Sequence, residues 1–156
     1  MENKKRKVLN KEEIQASRLI RTVRFIYGGM AAVYFICVIF QVFFAGLGLF
    51  VNSNNWQLHR VFANYFEAIA LLLFLLSLFG RIRGGLRWLP LSLFVLTSLQ
   101  HMTIQTFSGY LRALHTIDAL LLFGISMHLM KRSWRWGKTG KNKYQSKTPS
   151  CENIEK

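Results

Sequence analysis

Apolar residues fill four long blocks of the chain, at about 25–49, 58–80, 88–108 and 110–131. Each block is near the ~20 residues that a helix needs to cross the hydrocarbon core of a bilayer. The connections between blocks are brief. The second and third are joined by "GRIRGGLR", and the third and fourth by a tight turn around Ser108, Gly109 and Tyr110. Short connections make neighbouring helices antiparallel. The pattern therefore predicts an all-α integral membrane protein, an up-down four-helix transmembrane bundle. Residues 25–131 form that domain. Residues 1–24 are a basic N-terminal segment and 132–156 a basic tail expected to be disordered.

Charge sharpens this picture. Of 21 Lys and Arg, eight lie in residues 1–24, three in 81–87 and eight in 131–156, leaving only Arg60 and Arg112 elsewhere. Basic residues that punctuate apolar blocks belong to a membrane protein, so nucleic acid is not the expected partner. With four spans, both tails and the 81–87 loop fall on one side, which the positive-inside rule makes cytoplasmic. The expected location is the cell membrane, with both termini cytoplasmic and the basic tails held near anionic lipid. "EEIQASRLIRTVRF" is expected to form a short interfacial helix. Cys37 lies mid-span and Cys151 in the tail, so no disulfide is expected. The absence of CxxCH excludes covalent c-type heme attachment.

The second block opens on "NNWQLHRVFANYFEA", which carries His59, Arg60, Asn64 and Glu67 into apolar surroundings. The topology brings His59 near the outer surface. It puts His115 roughly 8 Å and His101 roughly 10 Å below the same end. His128 falls at the opposite end, where it, Trp134 and Trp136 read as interfacial residues. One turn below His59 is Ala63, and one turn below His115 is Ala119. Gln41, Ala45 and Gly48 give the first span a face of little bulk at that level. Alanines there leave room for a flat group between helices. In an up-down bundle the second and fourth helices are diagonal, so two imidazoles at one depth can bind one metal from opposite sides. Bis-histidine ligation of heme b needs this arrangement. Arg60 and Arg112 at the rim suit the propionates. Gln41, Gln100, His101 and Asp118 complete the expected pocket, with Asp118 orienting His115 from one turn below.

The residues that carry this reading also carry a resemblance. "LHRVFA", "TSLQ" and "ALHTIDALLLF" resemble one four-helix half of heme A synthase over roughly residues 40–130. In that family each half has a His-Arg pair on its second helix and a histidine on its fourth, and such histidines hold heme. The resemblance implies that role for His59 and His115. The family's acid, three positions before the His-Arg histidine, is replaced by Trp56, which implies no oxidation chemistry. The chain is also similar to a family of small bacterial four-span proteins of unknown function, through "QVFFAG" at Gln41–Gly46. That similarity is the closer one and implies no activity.

Simpler readings stand beside these. An interfacial histidine can hydrogen-bond a carbonyl. Three histidines at one level can hold zinc, although no carboxylate shares their level to act as a base. Glu67 and Asp118 can serve a proton path, or can bond Asn64, Gln41, Gln100 or Gln105 between helices. The expectation is a heme b-binding protein for electron transfer or heme handling, with no intrinsic oxygenase activity and with a redox partner or a second copy of itself. The alternative is a scaffold or accessory subunit without cofactor. An enzyme of lipid-like substrates ranks last, because no aspartate-rich prenyl motif, Ser-His pair or phosphate loop occurs.

Overall fold

The computed structural model describes the backbone of residues 2–106 and 108–145, and the side chains of 13–106 and 108–135. It contains four α-helices: α1 (Glu2–Phe50), α2 (Trp56–Phe79), α3 (Gly85–Thr106) and α4 (Leu114–Gln145). No strand occurs among the described residues. Each helix packs on its two chain or ring neighbours: α1 on α2 and α4, α3 on α2 and α4. The diagonal pairs α1–α3 and α2–α4 do not meet backbone to backbone. This is the expected up-down bundle.

Three helical stretches are long and apolar enough to cross a membrane: Glu13–Phe50, Ser53–Phe79 and Gly109–Arg135. The exception is α3, expected as the third span. Its 22 residues measure about 33 Å, which suffices in length. Its C-terminal half carries Thr97, Ser98, Gln100, His101, Thr103 and Gln105, which dilute its apolar content. Its place in the bundle comes from packing between α2 and α4, not from composition.

Two boundaries differ from expectation. The N-terminal segment is no separate interfacial helix. It is continuous with the first span in a 49-residue helix about 73 Å long. At the other end α4 stays helical to Gln145, where a disordered tail from 132 was expected. Once a helix is nucleated on a packed bundle, each further residue adds a hydrogen bond, and polar composition alone does not stop it. Residues 146–156 lie outside the described residues.

The core is one seam per helix. Tyr27, Ala31, Tyr34 and Val38 of α1 face Phe66, Ala70, Leu73 and Ser77 of α2. Leu86, Pro90, Leu93 and Thr97 of α3 and Leu122, Ser126, Leu129 and Ser133 of α4 complete it. The four-three-four spacing within each set is the knobs-into-holes repeat of a bundle. Two tyrosines span the α1–α3 diagonal. Tyr34 shares a hydrogen bond of 3.2 Å with the Thr97 hydroxyl. Tyr27 donates to the Leu86 carbonyl at 2.6 Å. That carbonyl would ordinarily accept from residue 90, but residue 90 is proline and has no N–H. The tyrosine hydroxyl fills the vacancy.

The ends are closed differently. At the end from which α1 enters the bundle and α4 leaves it, the α2–α3 connection turns through Arg81 at φ 48° and Gly84 at φ 72°. The Arg24 Nε there donates to the Gly80 carbonyl at 3.0 Å. At the other end, short 3-10 turns precede α2 (Ser53–Asn55) and α4 (Gly109–Ala113).

Candidate functional site

Outward from Val38, Phe66, Thr97 and Leu122 the seam changes character. The next positions are Gln41, Ala45 and Gly48 on α1 and Ala63, His59 and Trp56 on α2. Gln100 follows on α3, and Ala119 and His115 on α4. Large aliphatic side chains give way to amides, imidazoles and small residues. The expected site residues therefore share one end of the bundle.

His59 and His115 sit in the first turns of α2 and α4. A 3-10 turn, Gly109–Ala113, leads directly into the turn of α4 that carries His115. The two imidazoles meet across the α2–α4 diagonal with ring centroids 6.3 Å apart and planes at 63°. Two nitrogens each about 2 Å from a shared metal put ring centroids roughly 6–6.5 Å apart. The two rings thus have the separation of a donor pair, and ring planes are free to twist about such an axis.

Each histidine is tied to a glutamine on the preceding helix. The Gln41 side-chain amide donates to the His59 backbone carbonyl at 2.8 Å. In return His59 Nδ1 lies 3.0 Å from the Gln41 carbonyl. A carbonyl can only accept, so the proton resides on Nδ1 and the Nε2 lone pair is left for a ligand. Gln100 repeats the first bond, donating to the His115 carbonyl at 3.3 Å. The reciprocal bond is absent here: His115 Nδ1 is buried without a hydrogen-bond partner. The glutamines, expected as pocket lining, instead use their amide nitrogens on the helix ends. Gln41 Oε1 remains buried without a partner.

The other candidates divide. His101 lies on α3, which packs on both α2 and α4. Its Nδ1 is 3.6 Å from Glu67 Oε2, and its Nε2 is buried without a partner. Glu67 accepts from the Ser98 hydroxyl at 2.6 Å, so its bond to α3 is to a residue the sequence had not singled out. Hydroxyl groups are common in membrane helices, and only the packing selects this one. Among the described residues no group of three or more His, Cys, Asp or Glu could hold a metal ion. The three-histidine zinc arrangement is therefore not formed, because His101 is turned toward Glu67. Asp118 is 4 % exposed, and neither carboxylate oxygen has a hydrogen-bond partner. It does not orient His115, as had been expected. The two residues share a face, but their polar atoms do not meet. Arg60 and Arg112 are both exposed at the rim.

Sequence reasoning also missed a packing contact at this end. The Trp56 indole lies on Gly48, whose absent Cβ would fall 2.7 Å from Trp56 Cδ2. The same ring meets His59 edge-on at 5.5 Å. A glycine at an outer seam position opposite a tryptophan is the signal that could have found it.

Residues 41–107 match the model of a family described as a family of unknown function (DUF6220). The matched segment contains Gln41, His59, Gln100 and His101 and ends before His115. No curated protein and no solved structure matches the chain. The likeness to heme A synthase accordingly rests on the quoted sequence segments alone.

Proposed function

We propose that this protein binds heme b near one end of a membrane-spanning helical bundle, with His59 and His115 as the residues that would hold its iron. The observation that carries the reading is the His59–His115 pairing across the diagonal at 6.3 Å. His59 is held as the Nδ1–H tautomer by the Gln41 carbonyl, which leaves its Nε2 lone pair for the iron it would hold. Ala63 and Ala119 lie one turn below the ligands and leave the macrocycle space that larger residues would take. Arg60 and Arg112 at the rim pair with the propionates. When bound, heme supplies one reversible one-electron couple at this end of the bundle. The function is electron transfer or heme handling, and the chain's own residues set ligand orientation and burial.

The protein resides in the cell membrane, with the basic tails and the 81–87 loop cytoplasmic and the histidine end outside. A reporter that is active only in the cytoplasm, fused after residue 156, should be active. Activity of an externally dependent reporter at that point would reverse the orientation.

A scaffold without cofactor is the competing reading, and the Gln41–His59 and Gln100–His115 bonds favour it, since they join helices without any ligand. Colour separates the two. Expressed with added heme and purified in mild detergent, the protein should show a sharp Soret band. His59→Ala and His115→Ala should each abolish it by pyridine-hemochrome assay, and His128→Ala should not. A colourless wild-type protein, or full heme retention in either ligand variant, would overturn the proposal.

A further inference from the structure

The burial pattern of the first hairpin recurs in the second. The buried seam of α1, Tyr27, Ala31, Tyr34 and Val38, returns 59 positions on as Leu86, Pro90, Leu93 and Thr97. The buried seam of α2, Phe66, Ala70, Leu73 and Ser77, returns 56 positions on as Leu122, Ser126, Leu129 and Ser133. The three-residue difference falls between the two seams of each hairpin, where Gln41 and His59 are 18 positions apart and Gln100 and His115 are 15. Under these offsets Gln41 meets Gln100 and His59 meets His115. Ala63, Ile69, Leu73 and Ser77 meet Ala119, Ile125, Leu129 and Ser133, the same residue types in order.

A shared seam spacing is expected of any four helices in a bundle, so burial alone would show nothing. The glutamine–histidine bond is different, because bundle geometry does not require it. It occurs once in each hairpin, from the equivalent glutamine to the equivalent histidine carbonyl, at 2.8 and 3.3 Å. Identity of the residues, the register and the bond coincide.

We propose that residues 27–133 are two copies of one helical hairpin, and that Gln41 and Gln100 are equivalent positioning residues presenting His59 and His115 to a ligand on the axis between the copies. The proposal rests on the bis-histidine reading for the ligand's identity. Each glutamine acts through its histidine: the amide fixes the end of the helix that carries the imidazole, and in the first copy the Gln41 backbone carbonyl also accepts from His59 Nδ1. The surroundings of the pair are not duplicated. Arg60 corresponds to Thr116, Phe62 to Asp118 and Trp56 to Arg112. A metal held between the copies would therefore meet two like donors in unlike surroundings.

The test uses Gln41→Leu and Gln100→Leu in the full chain, with Gln41→Met and Gln100→Met as unbranched substitutes should either leucine variant aggregate. Each should weaken heme affinity by about threefold, the worth of one interhelical hydrogen bond in a membrane. Each should also shift the largest g value of the low-spin EPR spectrum, which reports ligand orientation and would not move if the glutamines only held helices together. Wild-type spectra in both variants would overturn the positioning role. A shift in only one would overturn the equivalence of the halves. Imidazole ¹⁵N spectra of the heme-free protein give an arm independent of heme. There His59 should carry its proton on Nδ1, and Gln41→Leu should disturb that tautomer. If the wild-type protein is colourless, the heme reading fails, and an unchanged ¹⁵N spectrum in the variant would then sink the positioning role as well.

Discussion

Replacing Tyr27 with Phe removes one oxygen from a residue that is 1 % exposed. The lost bond is the 2.6 Å donation to the Leu86 carbonyl. An average interhelical bond in a membrane is worth only about 0.6 kcal/mol, because the separated helices find other partners. This carbonyl cannot find its usual one. Pro90 supplies no N–H, so in Tyr27→Phe the oxygen is left buried and unsatisfied, a state that costs about 1–3 kcal/mol. The expected loss is therefore at the upper value, about 1–2 kcal/mol. Pro90→Ala provides the missing donor within α3. In that background Tyr27→Phe should cost under about 0.5 kcal/mol, giving a coupling of about 1 kcal/mol between two residues on diagonal helices. Any cavity left by removing the proline ring is common to both variants in that background and cancels from the cycle. The assay is reversible unfolding in mixed micelles with increasing denaturing detergent. Equal costs of Tyr27→Phe in both backgrounds would refute the reasoning, since the hydroxyl would then not be standing in for the proline's absent N–H.

Two further outcomes follow from the histidine end. Gly48→Ala puts a methyl 2.7 Å from Trp56 Cδ2 and 3.0 Å from Cγ. The contact includes the root of the ring, so rotating the indole about its own axis cannot relieve it. The variant should lose about 1–3 kcal/mol in the same unfolding assay, and Trp56→Phe should recover part of this. An unchanged stability would show that Trp56 is not seated on Gly48. If heme is bound as proposed, reduced protein exposed to carbon monoxide should form little carbonyl complex, because both axial positions are taken. Rapid stoichiometric formation would show an open position and remove one of the two histidines from the iron.

The chain by itself determined the class of fold. Apolar blocks about 20 residues long, divided by short connections and basic clusters, leave a helical bundle as the economical solution, because a helix satisfies its own backbone within the segment. The same patterning put Gln41, His59, Gln100, His101 and His115 at one end, since depth along a helix follows from residue number. Direction around the helix does not follow so simply. Asp118 and His115 share a face in sequence, yet the carboxylate finds no partner while the imidazole meets His59. His101 lies at the right depth, yet it faces Glu67 and not a common metal point. Such outcomes depend on which neighbouring helix each polar atom confronts, and that is fixed by how four seams interlock. The helix ends were also hidden, because propagation from a packed core carries α1 and α4 through segments whose composition reads as tail. Only the assembled bundle brings the two glutamine–histidine bonds into equivalent positions, since each joins residues on different helices and neither can exist until the helices dock.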